Sequence, residues 1–123
     1  MKDIENRNDI TELLKRFYGK GLEDKAIGFY FTEVVNLNME HHLPKITGFW
    51  ETVLFAKANY KTNVMEVHKH INQKHKIEQQ HLERWVLLFK TSVDEMFAGT
   101  NAEIAKQRAQ SIATLMSVKI VYG

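Results

Sequence analysis

Four side chains in this sequence could together hold and polarise a small ligand: Tyr18, His42, His68 and Trp85. His68 lies near mid-chain in Asn63-Val64-Met65-Glu66-Val67-His68, where Met65 and Val67 make its surroundings partly apolar. A neutral imidazole nitrogen is the commonest protein ligand for haem iron. Tyr18 follows Phe17, His42 lies one helical turn before Ile46, and Trp85 follows Arg84. A haem pocket needs one axial base on one face and a few polar donors in an apolar wall on the other. This set could supply both.

Each residue also has an ordinary structural reading. His68 could be a surface histidine beside Lys69 and His70. His42 could be half of a polar pair with His41 near a helix start. A Tyr18 hydroxyl or Trp85 indole at a core edge could simply bond a backbone carbonyl or water. Trp50 reads as packing, in the company of Phe49 and Val53. His68, His70, His75 and His81 invite a metal-cluster reading, but their spacing does not place three of them on one helical face.

The elements that must position these groups read as helices. Asp9-Ile10-Thr11-Glu12 has the form of an N-cap with an acid three residues on. Ile10, Leu13, Leu14, Phe17 and Tyr18 then follow at helical spacing, and Gly19 and Gly21 weaken the end of that helix. Asp24 is placed to cap a short second helix ending in Gly28-Phe29-Tyr30-Phe31, and 36–38 reads as a loop. A long helix is expected from Met39 to about Lys57. Pro44 falls in its first turn, where a missing N–H costs little, and Ile46, Phe49, Trp50, Val53 and Leu54 form its inward stripe. A loop over 58–63, a short helix over 65–70 and an irregular connection over 71–76 come next. Glu78 to Phe97 reads as a long helix with Leu82, Trp85, Val86 and Phe89 on one face. After a break at Gly99-Thr100-Asn101, a last helix runs from Ala102 to about Tyr122, with Ile104, Ala105, Arg108, Ile112, Leu115 and Met116 in register. Strand signals are nearly absent, so the reading is one all-α domain over 1–123.

Bulk properties narrow the function classes. With 123 residues and 44% hydrophobic residues, the chain can bury one core. The net charge of +2, with acids and bases interspersed, does not argue for nucleic acid. No cysteine is present, which excludes disulfides, iron–sulfur clusters, thiolate zinc sites and cysteine nucleophiles. The polar N-terminus lacks an apolar signal core, and no run of about 18 uncharged apolar residues exists to span a membrane. A cytoplasmic location is expected. No phosphate-binding glycine loop or nucleophile elbow is visible.

Taken in order, several strings resemble the truncated haemoglobins, specifically their group III branch. They are Phe17-Tyr18, Lys45-Ile46-x-Gly48-Phe49-Trp50, Asn63-x-Met65-x-Val67-His68, Arg84-Trp85 and Gln107-Arg108-Ala109-Gln110. The resemblance spans nearly the whole chain and implies a shortened globin fold, a two-over-two helical sandwich around haem b. It makes His68 the proximal iron ligand and Tyr18, His42 and Trp85 the polar distal set. Ile46 becomes an apolar wall over the gas. Phe31 becomes the aromatic against the porphyrin, with Phe49, Met65 and Trp85 also against the cofactor, and Lys45 a base that can reach a propionate. Val64 stands where many relatives have proline, and Lys74-His75-Lys76 where relatives are often proline-rich. His70 is the competing ligand if the register slips.

The function so implied is reversible binding of O2, CO, NO or another diatomic gas at a five-coordinate ferrous iron. Redox chemistry on the bound ligand, of a peroxidase or NO-detoxifying kind fed by an unidentified reductase, is a variant. The alternative class is a haem-independent globin-fold interaction or sensor module, in which the histidines face solvent and the aromatic stripe is core alone.

Overall fold

The computed structural model describes residues 1–34, 38–56, 68–69, 71–73 and 76–121, and all regular structure among them is helical. Helix α1 spans Arg7–Glu23, α2 Met39–Phe55, α3 Gln79–Met96 and α4 Thr100–Met116. π-Helical turns cover Tyr30–Val34 and Ser117–Val121. The α1–α2 pair packs on the α3–α4 pair through α1 against α3 and α2 against α4. This is the two-over-two sandwich expected from the sequence. Among the described residues, no helix is long and apolar enough to cross a membrane.

Helix α1 buries Ile10, Leu13, Leu14, Phe17, Tyr18 and Gly21, the i, i+3, i+4, i+7 stripe of an amphipathic helix. Its cap differs from expectation. Asn6, not Asp9, is the N-cap, because the Asn6 side chain accepts the Asp9 N–H at 2.9 Å. Asp9 lies inside the helix, where its carboxylate accepts from the Lys2 ammonium at 3.0 Å and the Glu5 N–H at 2.9 Å. Gly19 and Gly21 do not end the helix, which continues to Glu23. Gly21 instead leaves room for a ring: a Cβ there would stand 3.1 Å from Phe31 Cε2.

Helix α2 starts at Met39 because the Asn38 side chain accepts the Glu40 N–H at 3.0 Å. Pro44 therefore sits inside the helix, in its second turn rather than its first. Of the expected inward stripe, Trp50 is buried and Ile46, Phe49, Val53 and Leu54 are half-buried, but Thr47 and Glu51 are buried too. Glu51 is paired with Arg7 of α1. Residues 71–73 are helical where an irregular connection was expected. The loop over 58–63 lies outside the described residues.

Helix α4 departs in part from the expected register: Ala105 and Met116 are buried as expected and Ile112 is half-buried, but Ile104, Arg108 and Leu115 are exposed. Ala102, Ala105, Ala109, Ala113 and Met116 are its buried face, whereas Ile104 and Leu115 are 38% and 51% exposed. Small side chains let two helices approach closely, so shape rather than hydrophobicity chooses the face. The N-terminus of α4 is held by the N-terminal segment. The Asp3 carboxylate accepts the Asn101 N–H at 2.9 Å and the Ala102 N–H at 2.8 Å. Gly99 precedes the helix at φ 143°, and a Cβ there would lie 2.5 Å from Asp3 Cγ. Only glycine meets both demands at low cost.

Candidate functional site

A cavity of about 210 Å³ opens between α1, the Tyr30–Val34 turn, α2, the stretch around His68 and the start of α3. Its wall is mostly apolar and aromatic, with Phe17, Phe31, Phe49, Trp50 and Phe89 contributing rings. Phe17 and Phe89 are buried at the centre of the core with ring centroids 5.6 Å apart. Trp50 stacks on Phe89 at 4.8 Å and 16°, the packing role expected of it.

Polar groups enter this wall at a few points. Tyr18 from α1 and His42 from α2 meet there, with Tyr18 Oη 2.7 Å from His42 Nε2. Tyr18 is buried and makes edge contacts with Phe17 and Phe31. Burial pushes the His42 imidazole below its ordinary pKa, and the charges of Lys45 and His68 push the same way. His42 is therefore neutral near pH 7. His68, half-buried in a helical turn, lines the same cavity.

Trp85 lines the cavity from α3, half-buried, with its ring 6.3 Å from both Phe17 and Phe89. Among the described residues nothing accepts its indole N–H. Ile46, one turn after His42, and Phe31 and Phe49 also belong to the wall. Lys45 is exposed and is not part of it. Met65 and the competing His70 lie outside the described residues.

Two further polar wall residues are Tyr30, given no site role from the sequence, and His81, weighed there only within a histidine cluster. Tyr30 donates to the Lys76 carbonyl at 2.5 Å and lies 3.1 Å from His81 Nδ1. The helical spacing of His81 and Trp85, four residues apart, is the signal that places both on one face. Among the described residues there is no cluster of three or more metal-ligating side chains.

The arrangement suits a flat apolar group with one metal at its centre. The wall offers rings and aliphatic chains to a macrocycle, His68 from the stretch after α2 offers a nitrogen donor, and the Tyr18–His42 pair offers a polar patch. A neutral imidazole is the form that ligates metal or gates a site without adding charge.

No protein-family model matches the chain. Among characterised proteins it is similar to the group 3 truncated hemoglobin ctb of Campylobacter jejuni. The two are 30% identical over 112 residues, covering 89% of this chain and 86% of that protein. Among solved structures it is similar to the crystal structure of group III truncated hemoglobin from Campylobacter jejuni. That comparison gives a TM-score of 0.86 at 27% identity, covering 100% of this chain and 98% of the other.

Proposed function

The chain belongs to the group III truncated haemoglobins, and on that premise we propose that it is a haem protein that holds O2 or another diatomic gas reversibly. His68 is the axial base, and Tyr18, His42 and Trp85 are the polar groups over the gas. The observation that supports this reading most is that His68 and the Tyr18–His42 pair, from separate elements, line one apolar cavity. Tyr18, His42, His68 and Trp85 line that one cavity, four such groups for which a haem-free core has no use.

Haem supplies an iron that takes up diatomic gases and leaves them partly negative. The chain supplies the rest. His68 would hold the cofactor by a ring nitrogen. Phe31, Phe49 and Ile46 would exclude water from its faces, and Lys45, exposed and outside the wall, would be the base that reaches a propionate. Tyr18 donates its phenolic proton to the negative end of the ligand, while the His42 Nε2 holds that phenol in place. Trp85 donates its indole N–H from the neighbouring helix. A hydrogen bond to a charged acceptor contributes about 1.5–3 kcal/mol, so each donor slows gas release about tenfold or more. Strong retention suits capture, sensing or redox chemistry on the gas, with NO or peroxide as co-substrate and an external reductase as electron source, better than oxygen shuttling.

The absorption spectrum of the purified protein tests this reading, together with that of His68→Ala. A Soret band in the wild type that is lost or becomes labile in the variant is the expected result. A colourless wild type that cannot be reconstituted with haem overturns it. A variant that keeps haem while His70→Ala loses it moves the ligand to His70.

A further inference from the structure

His81 and Trp85 sit one turn apart on α3 and both line the cavity. The first turn of a helix has backbone N–H groups without helical partners and frays unless something holds it. Here a capping box supplies part of the hold, the Glu78 side chain accepting the His81 N–H and the His81 side chain the Glu78 N–H. His81 Nδ1 accepts the Glu78 N–H at 2.9 Å, which makes Nδ1 the unprotonated nitrogen of the ring. Tyr30 Oη lies 3.1 Å from that same nitrogen and donates to the Lys76 carbonyl at 2.5 Å. The two rings meet edge-on at 5.1 Å. The phenol thus ties the approach to α3, at the Lys76 carbonyl, onto the Tyr30–Val34 turn, and its ring packs against the His81 ring.

A second tie lies beside Trp85. Arg84 Nε donates to the Asp24 carboxylate at 2.7 Å. That carboxylate also accepts the Ala26 N–H at 2.9 Å and the Ile27 N–H at 3.2 Å. Both ties run from the segment around Asp24 and Tyr30 to α3 and its approach, one at Arg84 and one at the Lys76 carbonyl, where the Tyr30 ring also meets His81. The ring contacts of Trp85 itself are long. Its centroid lies 6.3 Å from Phe17 and 6.3 Å from Phe89, whereas Trp50 stacks on Phe89 at 4.8 Å. Aromatic pairs span about 4.5–7 Å, so Trp85 is near the loose end of that range. Trp85 packs against the core, and because α3 carries it, the placement of the first turns of that helix bears on where the N–H points.

We propose that His81 and Tyr30 are positioning residues for Trp85, holding the start of α3 so that the indole N–H faces the bound gas. This rests on the reading of Trp85 as a donor in the cavity. The role is one of orientation: neither His81 nor Tyr30 is asked to touch the gas.

The test uses the haem-loaded protein under CO, with ¹⁵N label, and reads the indole N–H resonances of the two tryptophans, assigned with Trp50→Phe. The O2 release rate is measured in parallel for His81→Leu, His81→Asn, Tyr30→Phe, Trp85→Phe and His81→Leu with Trp85→Phe. His81→Leu and Tyr30→Phe should shift the Trp85 resonance, leave that of Trp50 in place and raise the O2 release rate several-fold. His81→Asn, whose Oδ1 can stand where Nδ1 does, should restore both. His81→Leu should add nothing to Trp85→Phe. A Trp85 resonance unmoved by His81→Leu and Tyr30→Phe, or rates that multiply in the double variant, overturns the proposal. If Trp85→Phe alone leaves O2 release unchanged, the donor reading fails instead, and the resonance still decides the positioning. Tyr30→Phe removes a single oxygen and keeps the ring, so it carries the test if His81→Leu does not fold.

Discussion

Tyr18 Oη and His42 Nε2 stand 2.7 Å apart, one from α1 and the other from α2, across one wall of the cavity. A phenol has one hydrogen to give, and a neutral imidazole donates from one nitrogen and accepts at the other. With the imidazole hydrogen on Nε2, His42 donates to the phenol oxygen and frees the phenol hydrogen for a ligand. With the hydrogen on Nδ1, His42 takes the phenol hydrogen for itself. Burial, helped by Lys45 and His68, keeps the ring neutral, so both arrangements are available without a change of charge. A ligand with a negative end selects the first. On the proposed function, the pair is a donor whose direction the ligand sets.

Tyr18→Phe should raise the O2 release rate about tenfold or more, because a lost charge-assisted bond of at least about 1.4 kcal/mol corresponds to that factor. CO release should change much less, since CO carries little negative charge. Stopped-flow displacement of O2 by CO measures both. Trp85→Phe should act in the same direction, and the two together should fall short of the product of their effects, because both donors serve one ligand. Unchanged O2 release in both single variants would leave Tyr18 and Trp85 as core residues only.

His42→Leu should leave haem content intact while altering gas entry and the rate of autoxidation. It removes the group that holds the phenol, so it should add little once Tyr18 is already Phe. Kinetics on the single and double variants give the comparison. A six-coordinate low-spin ferrous spectrum in the wild type that disappears in His42→Leu would make His42 a second axial ligand and end the open-site reading.

Acid should unfold this protein partly through Asp3. Burial pushes the Asp3 carboxyl up, but the N–H groups of Asn101, Ala102 and Ile4 outweigh burial and hold it below its ordinary value of 3.8. The unfolded chain therefore binds this proton at a higher pH than the folded one. The stabilisation is complete above 3.8 and is lost as the pH falls through the lower folded value. Asp3→Asn should lower the melting temperature at pH 7, and its curve should converge on that of the wild type at strongly acidic pH. Thermal melts across that range check it, and a constant gap at every pH would remove the charge from the argument.

Gly99→Ala should destabilise the fold by about 1–3 kcal/mol, the cost of forcing a residue with a Cβ into a sparsely populated backbone region. The φ of 143° and the 2.5 Å approach to Asp3 Cγ both act against the new methyl. Urea unfolding at neutral pH measures it. A loss smaller than a few tenths of a kcal/mol would mean that the strap over α4 relaxes freely.

The inward stripe of α1 from Ile10 to Tyr18, the start of α2 at Met39 and the extent of α3 were all legible in the sequence, because each depends on local spacing along one helix. The family was legible too, from the order of Phe17-Tyr18, Gly48-Phe49-Trp50, His68 and Arg84-Trp85. What one helix meets on another was not. Hydrophobicity ranked Ile104 and Leu115 of α4 as core, yet the tertiary structure buried Ala102, Ala109 and Ala113, because closely packed helices select for size. The burial of Glu51 involves a pairing with Arg7 of another helix, which no spacing along α2 contains. The Tyr18–His42 pair joins residues 24 apart, and the Tyr30–His81 pair joins residues 51 apart. No periodicity within a single helix carries a distance between two of them, so the sequence by itself determined which faces were apolar and which residues were available, and tertiary packing alone decided which of them touch.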